Sequence, residues 1–169
     1  MKNVLIISAT LNTNYSLAKD IEKLLLNLNV KVTTVSLEDY PLPLYTAKNS
    51  KIVNENDIEK IKILTNYLVN NQGIIVCGPE YNGSIPPIIT NAISWISIST
   101  DYWRDGFLNK IALVATSSGG PGNKFLASMK IQLEHLGAIV MPRFINISSS
   151  LPLKKYSAEK ILKQFINLL

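Results

Sequence analysis

Hydroxyl and amide side chains are concentrated in the segment SATLNTNYS, residues 8–16, which contains no charged residue. This segment follows an apolar run and leads into a helical pattern. Its backbone N–H groups would therefore point out of a helix N-terminus, where the helix dipole favours an anion. The pattern predicts a phosphate site, and the candidate donors are Ser8, Thr10, Asn12, Thr13 and Asn14. Ordinary helix capping by Thr13 or Asn14 would explain the same composition without any ligand.

Known phosphate-binding patterns narrow the kind of ligand. The sequence contains no GxxxxGK[ST] P-loop and no GxGxxG after the first apolar run, which disfavours P-loop triphosphate hydrolysis and a Rossmann dinucleotide site there. An acidic cluster that would hold Mg²⁺ at this loop is also missing. An uncharged phosphate cradle of the flavin mononucleotide (FMN) type remains.

The segment GPEYNGS, at the end of the third apolar run, has the residue types of a stiff turn. Pro79 would fix the exit from the run, and Asn82 with Gly83 suits a left-handed backbone. Ser84 could cap the helix that follows, which leaves Tyr81 on the rim as an aromatic wall. A turn built in this way would present backbone N–H groups to a planar ring.

A second glycine-containing segment, TSSGGPGN, covers residues 116–123. Its paired glycines would let backbone amides approach a flat ligand closely, and Ser117 and Ser118 would add hydroxyl donors. A plain glycine-rich turn into a helix explains this segment as well.

Five short apolar and β-branched runs alternate with helical patterns along the chain. The runs cover residues 4–8, 32–36, 74–78, 111–116 and 137–141. This alternation predicts an α/β fold in which a five-stranded parallel sheet is covered by helices on both faces. Right-handed crossovers give such a three-layer, doubly wound sheet the order 2-1-3-4-5 or a related one. Ligands in these folds bind beyond the carboxyl ends of the strands, where the three polar segments would meet.

The helical pattern from Ile85 to Ile98 differs from the others because its apolar residues spread around most of the circumference. Such a helix is buried on more than one side. One side would meet the sheet, and we expect the other to meet a second subunit. A core helix covered by a long loop is the alternative.

Length and charge limit the remaining possibilities. The 169 residues suit a single domain spanning residues 1–169. The net charge of +5 comes mainly from scattered Lys residues, with Arg only at Arg104 and Arg143. Because nucleic-acid binders cluster their basic residues, we expect no nucleic-acid partner. The charge would instead attract small anionic ligands.

The sequence also argues against a membrane span, a disulfide and a metal site. No apolar stretch reaches the roughly 18 residues that cross a bilayer, and the single cysteine, Cys77, excludes an intrachain disulfide. These features predict a cytoplasmic protein. With one Cys and one His, His135, the chain has no credible metal site or thiol triad.

The stretch GPEYNGSIPPIITNAISWIS resembles the flavin-binding signature of the NADPH-dependent FMN reductase family, which includes chromate, quinone and azo-dye reductases. The resemblance continues through LNKIALVATSSGGPGNKFLASMKIQLEHLGAIVMP and covers most of the chain. It implies a flavodoxin-like fold, bound FMN, NADPH or NADH as electron donor, and a small acceptor such as a flavin, quinone, azo compound or chromate. It also implies a homodimer or homotetramer with the helix at residues 85–98 at the interface.

The resemblance further implies which residues bind the cofactor. The loop Pro79–Ser84 would hold one edge of the flavin ring, with Glu80 at its centre. Tyr81 and Asn82 would position the ring, and no protein acid or base is strictly required. The full set implied for cofactor binding is Ser8, Thr10, Asn12, Asn14, Pro79, Glu80, Tyr81, Asn82, Gly83, Ser84, Ser117, Ser118, Gly119 and Gly120.

One departure from the family concerns the first loop. The family usually has Gly-Ser-x-Arg there, whereas SATLNTN has no Arg. A cation that would face the FMN phosphate or the nicotinamide dinucleotide is therefore missing. Arg104 could supply that charge from a neighbouring subunit, or could be an ordinary surface residue.

Two alternative functions remain open from the sequence. SATLNT also resembles the phosphate loop of flavodoxins, with Leu11 where that loop prefers Gly, which would suit an FMN electron carrier without reductase turnover. The basic net charge of +5 argues against this alternative, because flavodoxins are generally acidic. The missing Arg is compatible with a ligand-binding module that has lost the flavin.

Overall fold

The apolar runs pair into one parallel sheet. The computed structural model describes residues 1–51 and 53–169. Within them the strands are β1 (Asn3–Ser8), β2 (Lys31–Ser36), β3 (Gly73–Cys77), β4 (Ile111–Ser117), β5 (Ile139–Val140) and β6 (Ile145–Ile147). Neighbouring strands follow the order β2-β1-β3-β4-β5, and β6 also pairs with β4. The predicted order of the doubly wound sheet is confirmed.

The fifth predicted strand is the part of the sheet that differs from expectation. The run at residues 137–141 forms only the two-residue strand β5, which pairs with the beginning of β4. The chain leaves the sheet near Pro142, which has no N–H to donate to a ladder, and returns as β6 beside the end of β4. This second piece carries the chain to the carboxyl end of the sheet.

Helices cover both faces of the sheet, as predicted. They are α1 (Thr13–Leu26), α2 (Glu55–Val69), α3 (Pro87–Ser97), α4 (Asn123–His135) and α5 (Lys155–Leu168). Leu17 of α1 and Phe165 of α5 belong to the core on one face. Leu64, Ile89 and Met129 bring α2, α3 and α4 to the core on the other. Within the described residues, no helix combines the length and hydropathy that a bilayer span requires.

Helix α3 begins later than the sequence predicts. Its N-cap residue is Pro86, and no side chain caps the helix, so Ser84 does not have the capping role expected for it. Pro87 occupies the first helical position, where its missing N–H removes one donor that would otherwise need an acceptor. The two prolines therefore start the helix without a polar cap.

The chain's own segment 41–45 covers a second side of α3. Trp95 Nε1 donates to the carbonyl of Pro43 at 2.7 Å, and Asn91 Oδ1 accepts the N–H of Tyr45 at 2.8 Å. The Tyr45 and Trp95 rings also pack edge to face with centroids 5.2 Å apart. On this side the helix is covered by a long loop, which is the alternative that the sequence left open.

Candidate functional site

The carboxyl ends of β1 and β3 lie level with each other at one edge of the sheet, and β4 extends two residues further, to Ser117. Ser8 pairs in register with Cys77, and Cys77 pairs with Ala115. The loops that follow these strands therefore leave the sheet at the same edge, where ligands bind in doubly wound folds. They are the three polar segments that the sequence singles out.

Two reciprocal hydrogen bonds join the first of these loops to the third. Asn14 Nδ2 donates to the carbonyl of Ser117 at 2.9 Å, and the N–H of Ser117 donates to Asn14 Oδ1 at 2.8 Å. Asn14 lies in the first turn of α1 and is 0% exposed. Because both ends of its amide are committed, Asn14 holds the end of β4 in a fixed position relative to α1.

Glu80 connects the second loop to the third loop and to α4. Its N–H donates to Ser118 Oγ at 2.8 Å. Its Oε2 accepts the N–H groups of Lys124 at 2.9 Å and Phe125 at 3.4 Å. These N–H groups lie in the first turn of α4, where the helix dipole favours a negative charge. Since the N-cap residue, Gly122, has no side chain, Glu80 supplies the cap from a different loop.

A tight turn presents Tyr81 at the rim. Tyr81 and Ser84 exchange backbone hydrogen bonds of 3.2 and 3.0 Å. Between them, Asn82 and Gly83 have φ values of 50° and 71°, the left-handed pair of a type I′ turn. The left-handed geometry predicted for Asn82 and Gly83 is confirmed, and Ser84 closes the turn. Tyr81 is 45% exposed, so its ring is open to a ligand.

The first loop uses several of its polar groups internally. Ser8 Oγ donates to the carbonyl of Thr10 at 2.7 Å, and Thr10 Oγ1 donates to Asn12 Oδ1 at 2.6 Å. Asn12 Oδ1 also accepts the N–H of Asn14 at 3.2 Å and so caps α1. Among the described residues, the N–H groups of Asn12 and Thr13 have no acceptor. Both residues are exposed, so these amides are the donors that an anion would meet.

A cleft of about 600 Å³ joins the three loops. It is lined by Asn12, Thr13, Asn14, Ser16, Leu17, Asp20, Pro79, Glu80, Tyr81, Ser117, Ser118, Gly119, Ile147, Ser148 and Ser149. A Cβ built at Gly119 or Gly120 meets no atom within 4 Å, so this backbone borders open space. Uncharged donors at one end, with open glycine backbone and Tyr81 at the other, fit a ligand with an anionic end and a flat ring. FMN is such a ligand.

The segment after β6 is a part of the cleft that the sequence reasoning missed. Ile147, Ser148 and Ser149 line the cleft. They reach it because β6 runs beside the end of β4, where Ser118 N–H donates to the carbonyl of Ile147 at 3.2 Å. The serine run that follows the last apolar region is the signal that would have identified this segment.

His135 and Arg104, which the sequence analysis considered for functional roles, lie away from the cleft of their own chain. His135 ends α4, which begins near the cleft and is about 20 Å long at 1.5 Å per residue. The Arg104 guanidinium stacks 4.3 Å from the centroid of the Trp103 ring, which is itself 5.6 Å from the His135 ring. Arg104 is therefore at the far end of α4 and does not contact the cleft.

Possible metal ligands and the Cys77 thiol are the other groups that could carry chemistry. No cluster of three or more His, Cys, Asp or Glu residues that could hold a metal ion occurs in residues 1–51 and 53–169. Burial raises the pKa of the Cys77 thiol to about 12, so the thiolate is essentially absent near neutral pH. Cys77 is a buried core residue.

Comparison with known proteins identifies relatives of this chain. The family model for NADPH-dependent FMN reductases matches residues 2–151. The chain is 30% identical over 104 residues to the NADPH azoreductase of Bacillus sp. (strain OY1-2), a match that covers 60% of this chain and 53% of that protein. The chain spans about half the length of the curated relatives that it matches.

Solved structures share the fold over nearly the whole chain. FerB from Paracoccus denitrificans, a flavoenzyme NAD(P)H:(acceptor) oxidoreductase, superposes with a TM-score of 0.78 at 22% identity, covering 99% of this chain and 97% of its own. The apo form of the NADH:FMN oxidoreductase EmoB gives a TM-score of 0.77 at 15% identity, covering 100% of this chain and 90% of its own. The TM-scores show a shared fold, and at these low identities the likeness shows the fold alone.

Proposed function

The chain belongs to the NADPH-dependent FMN reductase family, and on that premise we propose that it is an FMN-dependent NAD(P)H oxidoreductase. Its electron donor is NADPH or NADH. Its acceptor is a small molecule of the flavin, quinone, azo-compound or chromate class. Membership of the family supports the cofactor and the donor, and the openness of the cleft supports a small, loosely defined acceptor.

One observation carries this proposal: three loops remote in sequence meet at one cleft and are bonded to each other there. The pair Asn14–Ser117 joins the phosphate end to the third loop. The bond from Glu80 to Ser118 joins the ring end to that same loop. A site fixed in this way holds a ligand that touches all three loops, as FMN would.

The chain's residues divide the work of binding between the two ends of the cleft. The N–H groups of Asn12 and Thr13, at the N-terminus of α1, would hold the phosphate. Tyr81 and Asn82 would position the ring. The backbone of Ser117–Gly120 would line its other edge. The N–H groups of Gly119 and Gly120, which have no acceptor among the described residues, would donate where negative charge develops.

FMN held by these residues would supply the redox chemistry, taking hydride from the nicotinamide and passing the electrons to the acceptor. The protein's part is to orient the ring and to keep one face of it accessible. Because the cofactor carries the chemistry, we assign orientation of the ring, and no proton transfer, to the side chains.

We also propose that the protein acts in the cytoplasm as a homodimer or homotetramer in contact through α3. Ile98, at the end of α3, is 51% exposed and Ile58 of α2 is 39% exposed. Both line a cleft of about 410 Å³ between the two helices. Light scattering of the protein as it elutes from a size-exclusion column gives its molecular mass, and comparison with the Ile98→Glu variant tests this proposal. An unchanged mass for the variant would place the subunit contact elsewhere.

The oxidoreductase proposal is tested by spectrum and turnover. The purified chain is mixed with FMN and desalted, and its visible spectrum is recorded. Oxidation of NADH and NADPH is then measured with a panel of flavin, quinone, azo and chromate acceptors. We expect retained flavin and turnover with at least one acceptor. Full flavin loading without turnover would favour the electron carrier, and a protein that takes up no FMN would contradict both flavin-based functions.

A further inference from the structure

A carboxylate lies against the loop that would hold the FMN phosphate. The N–H of Leu11 donates to Oε2 of Glu38 at 2.5 Å. No Lys or Arg occurs in residues 8–16 to balance this charge. A carboxylate is therefore hydrogen-bonded to the first loop at Leu11, one residue before Asn12, where the lining of the cleft begins.

The fold places Glu38 at this loop. β1 and β2 end in register at Ser8 and Ser36, and a 3-10 turn, Leu37–Asp39, follows β2 directly. Ser36 Oγ accepts the N–H of Glu38 at 3.3 Å and caps this turn. The backbone of Glu38 is thus fixed beside the loop after β1.

The amides beyond Leu11 are those expected to meet the phosphate. Asn12 and Thr13 follow Leu11 directly, and their N–H groups have no acceptor among the described residues. A phosphate bound by them would lie close to the Glu38 carboxylate, because that carboxylate accepts the N–H of the preceding residue, Leu11. The two negative charges would repel each other. Because Glu38 and Leu11 are both exposed, the repulsion is screened by salt.

We propose, on the basis of the function proposed above, that Glu38 is a specificity-determining residue for the flavin. Its charge weakens binding of the terminal phosphate. The site then favours FMN over riboflavin only slightly and exchanges FMN readily with the surroundings.

The test compares two flavins that differ only in the phosphate. The full chain and its Glu38→Gln variant are titrated with FMN and with riboflavin, and the quenching of flavin fluorescence gives the dissociation constants. Gln can still accept the Leu11 N–H, so the change removes charge and keeps the contact. We expect Glu38→Gln to tighten FMN binding about three- to tenfold at low salt and to leave riboflavin binding within about twofold. At about 1 M salt the gain for FMN falls below about twofold.

Asp39→Asn is the matched control, because Asp39 is the adjacent exposed carboxylate and does not contact the loop among the described residues. It should change neither dissociation constant by more than about twofold. Weaker FMN binding by Glu38→Gln, or equal effects on FMN and riboflavin, would overturn the proposed role of Glu38 and leave the reductase intact. Binding of neither flavin by the unmodified chain would overturn both.

Discussion

The amide of Asn14 and the backbone of Ser117, 103 residues apart in sequence, donate to and accept from each other at 2.9 and 2.8 Å. The side chain reproduces the pairing that a neighbouring strand would offer to the end of β4. The first turn of α1 is thereby tied to the loop after β4, although β1 and β4 are not neighbours in the sheet. This tie connects two of the loops that line the cleft.

Replacing Asn14 by Ala should both lower the free energy of unfolding and weaken FMN retention in the cleft. The change leaves the N–H and carbonyl of Ser117 without their partner. An unsatisfied buried polar group costs about 1–3 kcal/mol, and because Ser117 is only half-buried the loss should be near the lower end, about 1 kcal/mol. Urea denaturation should show a loss of that size, and FMN retention should fall as well. Asn56→Ala, on the exposed surface of α2, is the control and should change neither. Normal FMN retention in Asn14→Ala would show that the tie does not shape the cleft.

Replacing Glu80 by Ala should weaken the start of α4. The carboxylate accepts two N–H groups of the first turn, and loss of an N-terminal cap costs about 1 kcal/mol. Glu80→Gln should lose less, because Gln keeps an acceptor and loses only the interaction of the charge with the helix dipole. Thermal or urea unfolding of the two variants measures this order. The exposed Glu59 of α2 gives a control in Glu59→Ala, and equal losses in all three variants would contradict the capping role.

The strands, helices and their order were predictable because each depends on local apolar periodicity and on the handedness of crossovers. The split of the fifth strand was not predicted, because the apolar run at residues 137–141 looks like a strand until Pro142 removes a ladder donor. The start of α3 was misplaced for a similar reason. A Ser before the helix suggests a cap, but Pro86 and Pro87 follow it and begin the helix themselves.

The positions of the three site loops were predictable, whereas the contacts between them were not. The turn at Asn82 and Gly83 carries its own sequence signal. In contrast, Asn14 bonds to Ser117 and Glu80 caps α4 across many residues of chain, and nothing local to either residue distinguishes these contacts from ligand binding. The covering of α3 by segment 41–45 is of the same long-range kind.

Tyr81 and Asn82 should matter for flavin retention far more than His135. Tyr81→Leu removes a rim ring that is 45% exposed and contributes little to the core, so its effect on unfolding should stay within about 0.5 kcal/mol. Asn82→Ala places a residue that rarely adopts a positive φ at an angle of 50° and should distort the turn at a cost of about 1 kcal/mol.

Rates of FMN release from the loaded proteins separate these effects. We expect faster release from both Tyr81→Leu and Asn82→Ala and an unchanged rate for His135→Ala, since His135 lies at the far end of α4. Equal release rates for all three variants would show that the turn at residues 81–84 does not hold the ring.

Cys77 should make the protein less stable at high pH. Burial raises the pKa of its thiol from 9.0 to about 12 in the folded protein. Between those values the unfolded chain loses the proton while the folded chain keeps it. Unfolding is therefore favoured as the pH rises above 9, by up to about 1.4 kcal/mol per pH unit, and is unaffected by this group below pH 9.

Cys77→Ala isolates this contribution. The cavity lowers the variant's free energy of unfolding by the same amount at every pH, but the variant has no thiol to ionise when it unfolds. Urea denaturation of both proteins at pH 8 and at pH 10.5 gives the free energy of unfolding at each pH. Between these two pH values the unmodified protein should lose about 2 kcal/mol more than the variant. Tyr40, whose pKa burial also raises to about 12, ionises in both proteins and cancels from the difference. Parallel losses in the two proteins would mean that the folded structure opens to let the thiol ionise at its ordinary pKa.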